Sequence, residues 1–233
     1  EAGLHLWYLV RFDKNTDLKE AMERLSGLGE ISKLQINPAI QRAYNPKKKP
    51  VPVSEAALNR MRTRAAADNG FKFNDALLPH QWGYINRGVY DFATEKAPAI
   101  VGSDVNCEEA WELCTGDPEI IVAVLDEGVM YTHEDLTANM WVNEKEQVGS
   151  DQDNDGNGYK GDRYGYNFVK DNGNISWQAA EDTGHGTHVA GTIAAVNGNN
   201  KGVCGIAGGD GTKKGVRIMS CQVFDGDGQV RMV

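Results

Sequence analysis

The sequence predicts an α/β fold built on a doubly wound parallel sheet, preceded by a small α+β domain of ferredoxin-like type. Three observations carry that expectation. Beyond Trp82, short and continuously apolar strand runs alternate with helical patterns, as in a parallel sheet covered on both faces. Before residue 70 the order is strand, helix, strand, a further candidate strand, helix, which suits a compact α+β module. The 233 residues, 40% hydrophobic and 24% charged, have the composition of an ordinary globular chain.

Taken in order, Leu4 to Phe12 is an apolar, aromatic-rich strand candidate. Asn15-Thr16-Asp17 opens a helix with Leu18, Ala21, Met22 and Leu25 on one face, and Gly27 and Gly29 end it. Ile31 to Ile36 alternates like a strand, although Ile31 and Leu34 fall out of strict phase. Lys47-Lys48-Lys49, set between prolines, reads as a solvated loop. Ser54-Glu55-Ala56 opens a second helix carrying Ala57, Leu58, Met61 and Ala65, which stops near Asn69-Gly70.

In the longer second part, a helix at 106–115 leads through Thr115-Gly116-Asp117-Pro118 into a strand at 120–125. Tyr164 to Val169 is a short strand. The helix from Gly184 to Val196 places Val189, Ile193 and Val196 on one stripe, which predicts a buried face, with small residues around it. A Gly/Asn loop and the strand Val216 to Phe224 follow.

Several function classes are disfavoured. A net charge of −9 argues against a nucleic-acid partner. No window approaches the ~18 apolar residues of a membrane span, and the first residues do not read as a signal peptide, which leaves secretion compatible with the sequence. Cys107 and Cys114 lie seven positions apart in one helix, ~10 Å at 1.5 Å per residue, too far for a bridge. Any disulfide must use Cys204 or Cys221, and buried free thiols fit equally well.

The chemistry-bearing residues are Asp126 and His185. Asp126 ends the apolar run Ile120 to Leu125, and ligands of open α/β sheets bind beyond the carboxyl ends of strands. His185 stands at the exposed start of the glycine-rich helix, inside Gly184-His185-Gly186-Thr187-His188-Val189-Ala190-Gly191-Thr192. A base-acting imidazole needs an acid to hold its tautomer and stabilise its charge. His188, one turn on, reads as a packed structural histidine. His185 with His188 as a zinc pair is a rival reading without a third ligand nearby.

Asp151-x-Asp153-x-Asp155-Gly156-Asn157-x-Tyr159-x-x-Asp162 fits a twelve-position calcium loop. Carboxylates fall at positions 1, 3, 5 and 12, glycine at 6, and the Tyr159 carbonyl at 9. Aspartate replaces the usual glutamate at 12, which weakens bidentate coordination. An acidic, turn-rich surface loop is the alternative.

Val122-Ala123-Val124-Leu125-Asp126-Glu127-Gly128-Val129, followed by His133-Glu134-Asp135-Leu136, resembles the aspartate motif of the subtilisin-like serine proteases. Gly184 to Ala195 resembles their histidine motif, in the order Asp, His, Ser. The resemblance covers roughly residues 80 to 233. It implies a partial subtilisin-like sheet at 71–233, with Asp126 orienting the base and His185 moving the serine proton. Glu127 departs from the small Ser or Thr usual in the family. No Gly-Thr-Ser-Met nucleophile segment occurs in the 233 residues. In subtilisin, loss of the serine costs about a millionfold in turnover, so this chain alone is expected to be an inactive part of a serine endopeptidase zymogen, either a fragment or one piece of a nicked enzyme whose C-terminal portion carries the serine.

The resemblance implies more. Residues 1–70 have the element order of the family's inhibitory propeptide, and Leu78-Pro79-His80-Gln81-Trp82 resembles the start of mature enzymes, so cleavage is expected near 69–80. The acidic loop, running on to Phe168, resembles an insertion of bacterial members. A second calcium site at Asp135 and the Asn197–Asn200 loop follows by the same analogy. Expected partners are protein or peptide substrates, and the expected location is secreted or cell-envelope associated. A catalytically inactive calcium-binding or protein-binding module on the same scaffold stays open.

Overall fold

The computed structural model describes residues 8, 10–35, 70–88, 100–178 and 184–224. The chain divides into two compact units, Glu1–Ile40 and Gln41–Val233. In the first, α1 spans Leu18–Ser26, and Asp17 caps it by accepting from the Lys19 and Glu20 amides at 2.9 and 3.2 Å. Those amides have no partner inside the helix, so the cap satisfies two of the orphan donors at its start. Gly27 closes the helix.

The two strands expected on either side of α1 are corrected as far as they are described. Tyr8, residues 10–12 and residues 31–35 join no sheet. Alternating side chains make a strand only where a neighbouring strand and a covered face exist. α1 buries none of its residues, so it offers no such face. The lysine loop, the helix expected from Ser54 and the boundary region 41–69 lie outside the described residues.

The second unit is built on three parallel strands: β1 Ile121–Asp126, β2 Gly165–Asn167 and β3 Arg217–Gln222, in the order β1-β3-β2. Parallel neighbours need long crossovers, and α3, His185–Ala194, lies on the path from β2 to β3 and packs on β1 and β3. Between α3 and the sheet lies a core of Val124, Val129, Leu136, Met140, Val216 and Ile218. Burying each such side chain contributes about 1.5–3 kcal/mol.

A second cluster joins the strap at 70–88 to α2, Cys107–Leu113. Phe73, Leu78, Ile85, Cys107, Trp111 and Cys204 form it. Trp111 Nε1 donates to the Ile206 carbonyl at 2.9 Å, and Gln81 spans both backbone groups of Cys204 at 2.8 and 2.9 Å. All four cysteines are free, and burial raises the thiols of Cys107, Cys204 and Cys221. Thiols held in that form are poor nucleophiles.

Two packing expectations change. The buried face of α3 is Gly186, Ala190 and Ala194, while Val189, Ile193 and Val196 are half-buried beside it. Small residues at i, i+4 and i+8 let the helix backbone approach the sheet closely, and the larger side chains flank that contact. β1 is not covered on both faces among the described residues. Val124 is buried, but Ile121 and Leu125 are 42% and 64% exposed. Alternate side chains of a strand point to opposite faces, and α3 covers only the face that carries Val122 and Val124.

Candidate functional site

The register aligns Asp126, Gln222 and Asn167 in one row at the carboxyl edge of the sheet. Two members of that row pin loops. Asn167 Oδ1 accepts from the Val169 and Lys170 amides at 3.1 and 3.0 Å, and Gln222 Oε1 accepts from Ser176 N at 2.9 Å. The third, Asp126, meets the imidazole. His185 Nδ1 lies 2.9 Å from Asp126 Oδ1 and 2.8 Å from Oδ2. A carboxylate only accepts, so Nδ1 carries the hydrogen and the neutral ring keeps its lone pair on Nε2. The acid side chain is 15% exposed and the histidine 47%, so the pair has a sheltered end and an open end. That arrangement can take a proton from a hydroxyl and stabilise the resulting imidazolium.

The start of α3 is clamped to the loop that follows β1. Met130 N donates to Thr187 Oγ1 at 3.0 Å, and His185 N donates to Glu127 Oε2 at 3.3 Å. A Cβ at Gly186 would collide with the Glu127 carbonyl oxygen, so close approach requires glycine there. Beside the pair lies a cleft of about 1070 Å³, lined in part by Trp82, Tyr84, Met130, Trp177, His185 and His188. His188 is therefore exposed on the cleft side and not packed as expected, because the buried face of α3 belongs to Gly186, Ala190 and Ala194.

Among the described residues, one group of three metal-capable side chains stands close together: Glu146, Asp153 and Asp155, with ligand atoms within 4.8 Å of one another. The histidine pair is not part of such a group. Asp153 and Asp155 belong to the expected twelve-position loop, whereas Glu146 lies upstream of it and is fully buried. Amide groups hold these carboxylates in place. Glu146 Oε2 accepts from Gly161 N at 3.0 Å, and its Oε1 takes the Asn154 amide. Asp153 is ringed by the Gly156, Asn157 and Gly158 amides at 2.8, 3.2 and 2.8 Å, which hold its carboxyl below the usual range.

The other loop residues take different places. Asp162 accepts from Asn143 Nδ2 at 2.8 Å and Asn157 Nδ2 at 3.0 Å, and burial pushes its carboxyl up. Asn143 also reaches Asp155 at 3.0 Å. Tyr159 packs its ring on Tyr166 and Phe168, and Asp151 is exposed. An all-oxygen donor set around a fully buried glutamate fits a hard cation such as calcium. The twelve-position template could not find Glu146. The signal available was the acid-rich run Asn143-Glu144-Lys145-Glu146 just before it.

At Asp135, Oδ1 accepts from Asn199 Nδ2 at 2.7 Å and Oδ2 from Val203 N at 2.9 Å. Asp75, 2% exposed, accepts from Gly198 N at 2.7 Å through Oδ2, with the Cys204 thiol beside its carboxylate. Its Oδ1 has no nitrogen or oxygen donor among the described residues. Burial is the main cause pushing both carboxyls up, and the nearby Asp75 charge adds to the rise at Asp135. Asp75 belongs to no motif that the sequence displays.

A protein-family model, the Subtilase family, matches residues 117–232. Subtilisin-like protease 1 of Plasmodium vivax is 35% identical over 179 residues, covering 74% of this chain and 24% of that protein. The halolysin-like extracellular serine protease Nep of Natrialba magadii is 37% identical over 103 residues, covering 44% of this chain and 16% of that protein. A solved complex of the Aeromonas sobria serine protease with its chaperone is 25% identical, covers 64% of this chain and 20% of that one, and has a TM-score of 0.43. The chain thus spans about a quarter or less of the length of these relatives.

Proposed function

We propose that this chain, which belongs to the subtilase family through residues 117–232, contributes the acid and the base of a serine endopeptidase. Asp126 holds Nδ1–H of His185. Nε2 then takes the proton from a serine hydroxyl as it attacks the scissile carbonyl, and later returns it to the leaving amine. Asp126 stays ionised throughout and stabilises the imidazolium. The nucleophile and oxyanion donors are supplied by residues outside this sequence. The observation that carries the reading is the contact of His185 Nδ1 with both Asp126 oxygens, at 2.9 and 2.8 Å.

The substrates are proteins or peptides, and residues 1–70 act as a propeptide on the enzyme at 71–233. Release outside the cell accords with the extracellular relative, and no helix among the described residues is long and apolar enough to cross a membrane. Calcium is the cofactor. Glu146, Asp153 and Asp155 would hold it, with Asn157 and Asp162 bracing the loop. When bound there, the cation would neutralise the charge of these carboxylates.

The test is active-site labelling of the protein joined to its serine-bearing portion. A fluorophosphonate should label it, and His185→Ala should lower labelling by at least about a thousandfold. Labelling that persists in His185→Ala rejects the base. A parent protein that never labels leaves the inactive calcium-binding or protein-binding module as the function.

A further inference from the structure

We propose that Glu127 is a positioning residue for the Asp126–His185 pair, its carboxylate serving as the side-chain cap of the helix that carries the base. This rests on the reading of that pair as the acid and base of hydrolysis.

α3 begins without a cap of its own. Gly184, at the N-cap, sits at φ 77° and ψ 9° and makes no side-chain cap. The first N–H groups of any helix lack partners inside it. Glu127, 58 positions away in sequence, fills the role through Oε2, which accepts from His185 N at 3.3 Å. The residue is 1% exposed. A carboxylate persists in such a place only where donors and positive potential meet it, and a helix N-terminus supplies both.

The same residue also holds the acid. Glu127 N donates to Asp126 Oδ1 at 2.7 Å, on the oxygen that lies 2.9 Å from His185 Nδ1. Its carbonyl oxygen occupies the space that a side chain at Gly186 would need. One residue therefore touches the acid through its amide and the base's helix through its carboxylate and carbonyl. A Ser or Thr at 127 would bring no carboxylate to this amide, so the departure from the family pattern has a geometric role.

In the serine-bearing protein, Glu127→Ala should lower kcat about tenfold to a hundredfold with KM within about twofold, because the base is misplaced while substrate contacts remain. Glu127→Gln, which keeps an oxygen acceptor for His185 N–H, should recover most of that loss. In this chain by itself, hydrogen exchange at the His185 amide should quicken at least about tenfold in Glu127→Ala and stay slow in Glu127→Gln. A rise in KM at unchanged kcat would put Glu127 in a substrate subsite and overturn the proposal. Unchanged kcat with unchanged exchange overturns it too. If Glu127→Ala does not fold, Glu127→Gln decides: near-parental kcat with slow exchange supports the cap, and lost kcat with slow exchange contradicts it. His185→Ala, assayed alongside, tests the underlying pair independently, since retained activity there would remove the base whatever Glu127 does.

Discussion

The edge of β1 and the acidic loop that follows it solve opposite electrostatic problems with the same kind of donor. At the edge, an acceptor-only carboxylate meets a ring that can donate and can become cationic, so Asp126 and His185 attract one another directly. In the loop, Glu146, Asp153 and Asp155 crowd like charges together, and backbone and side-chain amides hold them against their repulsion. In the first region the acid's counter-charge comes from the protein itself. The second is organised but not neutralised, and gains most from a cation.

The contrast breaks most visibly at Asp126. Asp126→Asn keeps the shape but offers an amide to Nδ1, favouring the wrong tautomer. In the serine-bearing protein kcat should fall by about ten-thousandfold, as for triads generally. A loss under tenfold, measured by steady-state kinetics, would mean that the pairing is not what orients the ring.

A smaller effect separates the loop. At a hundredfold excess over its dissociation constant, a ligand stabilises the fold by about 2.7 kcal/mol, or about 5–10 °C in Tm for a chain of this size. Calcium should produce such a rise in calorimetry, and Glu146→Gln with Asp153→Asn should remove it. Asp126→Asn should leave the rise intact. A double variant that responds like the parent would dissociate these carboxylates from the metal.

Smallest is the effect of pH on the chelator-treated protein. Burial raises Asp75, Asp135 and Asp162 above the ordinary 3.8. The native state therefore keeps protons that the unfolded chain has released, and stability falls as pH rises from about 4 through those raised values. Asp153 and Asp210 are lowered, the latter to about 2, so their stabilisation is lost as pH drops below about 4. Tm without calcium should be highest near the ordinary carboxylate range, about pH 4, and decline toward pH 7. With calcium the trend should flatten or reverse, because protons compete for the ligands. A calcium-free Tm that climbs steadily to pH 7 would contradict the assigned burial.

What the sequence revealed follows the same division. Asp126 and His185 were legible because each sits at an element end that local pattern announces: an apolar run stopping at an acid, and a histidine opening a small-residue helix. α1 was legible from Asp17 and Gly27, whose capping roles are set by near neighbours. Glu127, Glu146 and Asp75 are not legible in these roles, because each acts on atoms distant in sequence or outside a motif's window. Glu127 showed only as a departure from a family pattern, and its reach to His185 N exists only once β1 and α3 pack. The exposure of Leu125 and of His188 was hidden for a related reason. Periodicity says which residues share a face, but what covers that face is a tertiary fact.

The central claim is that the Asp126 carboxylate holds the hydrogen of His185 on Nδ1 and leaves Nε2 free to act. Nitrogen-15 NMR of the histidine rings tests it in this chain without any nucleophile. The account predicts a protonated Nδ1 on His185 whose proton lies far downfield and is lost in Asp126→Asn. A neutral His185 protonated on Nε2, with Nδ1 unaffected by that substitution, would contradict it.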